Sequence, residues 1–288
     1  MHPVPDRALL AVHAHPDDEC IGTGGILARY SAEGVRTILL TCTDGAVGEI
    51  SDPNLATPEN LAEVRAGELD EAVRILGVSR LVKLGYRDSG MAGTDDNQNP
   101  ASFLQSSFDE AVERVVKVIR EEHPDVVVTY DENGGYGHPD HIRSHQVAVA
   151  AFAAAGDPVR FPNAGAAWPA RKLYYSVVPR SAVRRFAEEL REAGIESPFP
   201  AVARGGEDEV SFGVSDDRVT TLVDVSEYAT AKRQALAAHR TQMGPEQFFM
   251  RLPPPMFARV FGNESFQRVE GPTVNTSGGP EDDLFAGL

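Results

Sequence analysis

Ala8-Leu9-Leu10-Ala11-Val12-His13-Ala14-His15-Pro16-Asp17-Asp18-Glu19 is the stretch whose reading decides the fold. Its opening residues are a short, unbroken apolar run. Such a run reads as a strand buried on both faces, the kind found in parallel sheets, rather than a strand with one wet face. The run then gives way to two histidines and three carboxylates packed between His13 and Glu19. Apolar strand followed at once by ionisable residues is the pattern of a strand whose far end opens on a site.

Working outward, the same alternation repeats. Ala8 to His15 reads as the first strand and Ile21 to Gly34 as a helix that Gly34 stops. Arg36 to Cys42 is a second buried strand. Thr43 to Pro58 is a loop, and Leu61 to Leu76 a helix capped by Gly77. Arg80 to Leu84 is a third strand, Gly85 to Ser102 a long polar loop, and Phe108 to Glu122 a helix with Val112, Val115, Val116 and Ile119 on one face. Val126 to Tyr130 is a fourth strand, and Pro139 opens a helix that runs to about Ala155.

Strands alternating with amphipathic helices predict an α/β fold: a mostly parallel, Rossmann-like sheet with helices on both faces. Beyond Gly156 the pattern loosens. Lys172 to Val178 and Arg218 to Val225 read as strands, Arg180 to Gly194 and Ser226 to Ala238 as helices. Pro253-Pro254-Pro255 is expected to break the chain, and Gly271 to Asp283 to be flexible. The expected organisation is residues 1–156 as a catalytic α/β part and 157–288 as a smaller α+β cap completing the pocket, in one continuous unit.

Composition narrows the function. The chain has 288 residues, 42% of them hydrophobic, enough for a substantial core. Its 27 basic and 43 acidic residues leave −16, a surface that repels phosphate backbones, so no nucleic-acid partner is expected. There is no apolar run long enough for a membrane span, and Met1 to Arg7 lacks the pattern of a signal peptide. Cys20 and Cys42 are too few for a disulfide framework and suit a reducing, cytoplasmic location. Asn263-Glu264-Ser265 and Asn275-Thr276-Ser277 match the glycosylation pattern and are read as chance. A small-molecule substrate is expected, and a homo-oligomer is left open.

In open parallel sheets, ligands bind outside the carboxyl ends of the strands. The His15 cluster follows strand one, Gly45 to Glu49 follows strand two, and Arg87-Asp88 follows strand three. A second cluster, Tyr136-Gly137-His138-Pro139-Asp140-His141, follows strand four. Period-two alternation places His13 and His15 on one side of the first strand, and His138 and His141 are spaced to share a helix face. A catalytic zinc takes about three His or carboxylate ligands and keeps one position open. His15, one of Asp17 or Asp18, and one of His138 or His141 satisfy that count, leaving a carboxylate and an imidazole for acid–base work in hydrolysis. Zn2+ is the expected ion, with Fe2+ as the alternative for a two-His, one-carboxylate set.

These residues resemble a known family. Ala14-His15-Pro16-Asp17-Asp18-Glu19 together with Gly137-His138-Pro139-Asp140-His141 is similar to the PIG-L/LmbE-like zinc-dependent N-deacetylases. Arg87 to Thr94, Tyr130 to Tyr136, Ala238-His239-Arg240-Thr241-Gln242 and Asp283 to Gly287 resemble the mycothiol branch, its N-acetylglucosaminyl-inositol deacetylases and mycothiol S-conjugate amidases. The resemblance implies His15, Asp18 and His141 as metal ligands and Asp17 as the general base activating the metal-bound water. It implies His138 as general acid or oxyanion partner tuned by Asp140, and Tyr136 as polarising the substrate carbonyl. Glu49, Arg65 and Asp88 would hold sugar or inositol hydroxyls. The substrate implied is an N-acylated amino-sugar or a thiol conjugate, with another amino-sugar or a natural-product intermediate as the alternative.

Plainer readings stand beside these. Arg65 could pair with Glu68 at the surface, Asp88 could cap a turn through Ser89-Gly90, Glu49 could be a solvated loop residue, and Tyr136 a packing aromatic. Two other classes are weighed as well. Gly22-Thr23-Gly24-Gly25 lies where a dinucleotide fingerprint would open a helix, although its glycine spacing departs from that motif. A sugar-binding module without turnover is the other.

Overall fold

Every residue of β1, Ala8–His13, is buried, as a strand at the centre of a two-sided core must be. The computed structural model describes residues 7–192, 194, 212–274 and 278–288. After β1 come α1 (Asp18–Gly22), α2 (Gly24–Ala32), β2 (Arg36–Thr43), α3 (Leu61–Leu76), β3 (Arg80–Tyr86), α4 (Phe108–Glu122) and β4 (Val126–Tyr130). A short turn of helix, α5 (Gly134–Gly137), precedes α6 (Pro139–Ala155). The rest is β5 (Lys172–Val177), α7 (Arg180–Glu192), β6 (Thr221–Asp224), α8 (Ala229–Ala238), α9 (Phe248–Arg251), α10 (Pro254–Phe261) and β7 (Asn263–Glu270).

The strands form one seven-stranded sheet in the order β3-β2-β1-β4-β5-β7-β6. β1 to β5 pair in parallel, with Leu10 facing Ile38 on one side and Val127 on the other. β7 runs antiparallel to both β5 and β6. The mostly parallel α/β reading therefore holds, with one reversed strand near the edge. Alternation along β1 divides the core. Leu9 and Ala11 face Ile26, Tyr30, Leu69, Leu236 and Phe257, while Leu10 and Val12 face Val112, Val115, Ile119, Val147 and Ala151. Helices thus cover both faces.

The strand order reverses between β1 and β4: the chain winds outward one way through β2 and β3, then returns to continue on the other side. Such switch points leave a crevice at the strand ends. β1 and β4 are the strands that lead into the two histidine clusters.

Several local expectations are corrected. β1 ends at His13, because His15 lies in the turn that leads into α1. The expected Ile21–Gly34 helix is two helices, interrupted at Thr23. Pro253-Pro254-Pro255 does not break the chain but starts α10, since a fixed φ suits a first helical turn where no N–H is needed. β7 carries the first sequon, and its Glu264 is buried against Lys232 at 2.6 Å. The segment read as flexible, Gly271 to Asp283, is anchored at its end: Glu281 is buried and bridges to Thr221, and Asp283 accepts the Tyr30 hydroxyl at 2.8 Å. The second sequon, Asn275-Thr276-Ser277, and the N-terminal residues 1–6 lie outside the described residues.

Among the described residues no helix is long and apolar enough to cross a membrane. The glycine-rich start of α2 offers no room for a pyrophosphate. The Gly25 and Ile26 amides both donate to Glu264, at 2.7 and 2.8 Å. A Cβ on Gly25 would fall 2.3 Å from Val225. The helix terminus that a dinucleotide would use is filled by the protein's own carboxylate.

Candidate metal centre

His15 and His141 meet where the sheet reverses. His15 follows β1 and His141 lies in the first turn of α6, which Pro139 starts and His138 caps by accepting the Asp140 N–H. His15 Nδ1 lies 3.2 Å from His141 Nε2. The Asp18 carboxylate straddles them, Oδ2 at 3.3 Å from His15 Nδ1 and Oδ1 at 3.3 Å from His141 Nε2. A tetrahedral zinc with bonds of about 2.0–2.1 Å holds its donors about 3.3 Å apart. The trio already has that spacing.

Proton placement agrees. His141 Nδ1 faces the Gly134 carbonyl at 3.1 Å, so it carries the hydrogen and leaves Nε2 with its lone pair. His15 Nε2 faces Asp140 at 3.3 Å and Asp88 at 3.5 Å, which turns its Nδ1 toward the trio. Carboxylates and carbonyls behind ligating histidines fix ring orientation in just this way. Burial opposes a charge on His15, yet Asp140, Asp18 and Asp88 together raise its pKa well above the ordinary value. Burial likewise works against the Asp18 carboxylate, but His141 and His15 hold it well below its usual range. The surroundings are built for positive charge, and the donor set fits a divalent ion. Tyr130 completes the support: its hydroxyl donates to Asp18 at 2.7 Å and accepts the Ala14 N–H at 2.8 Å.

Asp17 sits beside the trio with Arg65 donating to it at 3.2 Å. Burial lifts its carboxyl to about 6, against the pull of Arg65. His138 is close by, its ring centroid 4.5 Å from that of His15. Its Nδ1 accepts the Asp140 N–H at 3.1 Å, so the neutral ring carries its proton on Nε2. Burial, then His15 and His141, push its pKa down to about 4. His138 is therefore a neutral donor. The Asp140 carboxylate bonds His15 and the Ser89 N–H, and only its backbone amide reaches His138.

The remaining expected residues are placed as follows. Asp88 is buried, flanks His15, and also accepts the Gly90 N–H at 2.8 Å, so it makes the turn bond as well. Arg65 is 3% exposed and donates to Gly45, Pro16 and Asp17. It is no surface partner of Glu68, whose oxygens accept from Thr241 at 2.8 and 2.6 Å. Glu49 is exposed on the rim, its carbonyl accepting from Gln242. Tyr136 is 56% exposed, its ring centroid 4.9 Å from that of His141, on a segment where Gly134, Gly135 and Gly137 all have positive φ. His13 does not join the site. It is buried against Thr23 at 2.8 Å and edge-on to Tyr130, a core histidine.

All of this opens on a cleft of about 380 Å³ lined by His15, Asp17, Asp18, Glu49, Arg65, Asp88, Tyr136 and His138. Thr241, Gln242, Met243 and Gln247 line the same cleft and were missed as site residues. Thr241 and Gln242 lie in the stretch that resembles the mycothiol branch, which implied no role for them, and Met243 and Gln247 just beyond it carried no signal. Tyr130 was missed too, although it ends a strand at the ligand-binding edge. Glu19, Cys20 and His239 form another buried group of possible donors. Its atoms stand only 2.7 and 2.9 Å apart, which are hydrogen-bond lengths.

The reversal point of a mostly parallel sheet thus holds two histidines and an aspartate at metal-donor spacing, with the half-buried Asp17 carboxylate alongside, which makes this an α/β protein with a candidate metal site. Residues 10–152 match the family described as PIG-L: GlcNAc-PI de-N-acetylase. The 1D-myo-inositol 2-acetamido-2-deoxy-alpha-D-glucopyranoside deacetylase of Geodermatophilus obscurus is 46% identical, over 99% of each chain. The chain belongs to the PIG-L family of de-N-acetylases. Among solved structures, the N,N'-diacetylchitobiose deacetylase of Pyrococcus horikoshii is similar with a TM-score of 0.64 and 22% identity, over 92% of this chain and 84% of that one. The 4-carboxy-2-hydroxymuconate hydratase of Pseudomonas putida shares the fold at a TM-score of 0.61 and 15% identity, over 94% and 99% of the chains. The fold alone therefore does not decide the reaction, and the site must.

Proposed function

We propose that this protein is a zinc-dependent deacetylase that releases acetate from the glucosamine nitrogen of an N-acetylglucosaminyl-inositol. The observation that carries the reading is the donor trio at 3.2–3.3 Å with Asp17 beside it. The full-length similarity to the inositol-glucosaminide deacetylase of Geodermatophilus obscurus supports the substrate. His15, Asp18 and His141 would hold the ion. When bound, zinc supplies Lewis acidity, lowering the pKa of water and polarising an acyl oxygen.

The side chains supply the rest. Asp17, held by Arg65, accepts the proton from the attacking water and returns it to the glucosamine nitrogen as the C–N bond breaks, so that acetate and the free amine leave. His138 donates its Nε2–H to the oxygen that becomes negative. The Asp140 and Asp88 carboxylates keep the His15 ring turned. Tyr136, on its glycine-flanked segment at the rim, completes the contact with the carbonyl. Glu49, with Arg65 and Asp88, meets the hydroxyls of the sugar and inositol. Residues 157–288 complete the pocket through Thr241, Gln242, Met243 and Gln247. Both cysteines are buried thiols, in keeping with a cytoplasmic location.

The test is amine release from N-acetylglucosaminyl-inositol and, in parallel, from a mycothiol S-conjugate, followed by mass spectrometry. Turnover of the first, lost on chelation and restored by zinc, is expected. Turnover of the conjugate alone would move the chain to the amidase branch. Turnover of neither, by protein carrying one zinc, would redirect the search to other N-acylated amino-sugars.

A further inference from the structure

Asp17 is held in a conformation that L-residues avoid, with φ 119° and ψ −27°. Such a backbone persists only where its surroundings over-determine it. Two bonds restrain it from opposite sides. Arg65 donates to its carboxylate at 3.2 Å, and its own N–H donates to Glu19 Oε2 at 3.0 Å. Glu19 is fully buried, and its second oxygen accepts from His239 Nε2 at 2.7 Å. His239 is fully buried as well, and comes from the turn after α8, far along the chain.

The circuit closes through α3. Thr241, two residues after His239, donates its N–H and hydroxyl to Glu68, which lies one turn beyond Arg65. Glu19, Asp17, Arg65, Glu68, Thr241 and His239 are thus linked in a ring of bonds and short backbone steps. Neither Glu19 nor His239 lines the cleft, so neither can touch substrate. A buried charged pair is weak as a source of stability, since packed apolar residues serve as well. Here one carboxylate oxygen is committed to the amide of a single residue, the one with the unusual backbone.

We propose that the buried Glu19–His239 pair positions Asp17, so that the C-terminal half of the chain sets the aim of the base toward the donor trio. The inference rests on the reading of Asp17 as the base. It predicts that loss of His239 lowers the rate of the chemical step while substrate affinity and metal remain.

The test measures kcat, KM, bound zinc and melting temperature of the full chain carrying His239→Leu or His239→Gln. Each is made in the native background and with Asp17→Asn. His239→Leu is expected to lower kcat by about tenfold to a hundredfold, the effect of misplacing a reacting group, with KM and zinc content close to native. His239→Gln, whose amide can still donate to Glu19, should recover most of the loss. With Asp17→Asn, the His239→Leu change should cost nothing further, because no base remains to aim. An equal fractional loss in both backgrounds, a loss of zinc, or an unchanged kcat would overturn the proposal. If His239→Leu does not fold, Glu19→Gln is measured the same way and must show the same dependence on Asp17. Should Asp17→Asn itself keep native kcat, the base assignment is what fails.

Discussion

His15 Nδ1 and His141 Nε2 face each other at 3.2 Å while the other nitrogen of each ring is already engaged, with Asp140 and Asp88 in one case and the Gly134 carbonyl in the other. The Asp18, Asp88 and Asp140 carboxylates around His15 favour positive charge at this point, as a proton on the ring or as a cation held by His15 Nδ1, His141 Nε2 and Asp18. Zinc binding should therefore stabilise the folded chain. At a free concentration one hundred times Kd the gain is about 2.7 kcal/mol, and about 2–4 °C of melting temperature follows from each kcal/mol in a chain of this size. His15→Ala and Asp18→Ala should each remove the zinc-dependent rise in a thermal melt. A rise that survives both substitutions would place the ion elsewhere.

The pH profile should report Asp17. Burial lifts its carboxyl to about 6, and the neighbouring Arg65 guanidinium pulls the other way. A base works as the carboxylate, so kcat/KM should fall as pH drops through the acid limb, about tenfold per unit below its apparent pKa. A bound dication moves that limb down. Arg65→Met removes the opposing positive charge and should move it up, measured on zinc-loaded enzyme. If the limb does not shift toward higher pH, the Arg65–Asp17 pair does not govern it.

Glu264 is the stability test outside the site. It is buried, pairs with Lys232 at 2.6 Å, and accepts the first amides of α2 at 2.7 and 2.8 Å. Glu264→Ala leaves a buried ammonium alone and two amides unbonded. Breaking such a pair costs about 3–5 kcal/mol, read by urea unfolding. Lys232→Met with Glu264→Gln should recover part of the loss. A single substitution costing under about 1 kcal/mol, the scale of an exposed ion pair, would mean that water reaches the pair.

How far the sequence carried depends on the distance over which each signal acts. α4, α6 and β4 match their expected limits because a helical apolar stripe, a proline start and a β-branched run are local. The two histidine clusters were legible because they follow β1 and β4, at the edge where a parallel sheet places its ligands, whereas the choice of His141 over His138 and of Asp18 over Asp17 came only from the family resemblance. What stayed hidden is contact between distant segments. Nothing near His239 in the sequence points to Glu19, and β7 reads poorly because Glu264 and Arg268 interrupt its apolar positions to meet Lys232 and Glu281. Arg65 looked like half of a surface pair because helical spacing shows its neighbour Glu68 but not the loop that buries it.

His138 offers a choice between two kinds of catalysis that one substitution separates. Its Nδ1 accepts the Asp140 N–H, so Nε2 carries the proton on a neutral ring. Burial, with His15 and His141 alongside, holds its pKa down to about 4, and a dication nearby would depress it further. At neutral pH the ring therefore acts as a hydrogen-bond donor to a developing oxyanion rather than as a proton source. His138→Ala should lower kcat by about a hundredfold to a thousandfold, the usual cost of removing such a donor. His138→Gln places an amide N–H near the same point and should recover a measurable part of that loss, with zinc content unchanged. A departing amine that needed a proton from His138 would gain nothing from glutamine, and a variant no better than alanine would make the residue an acid.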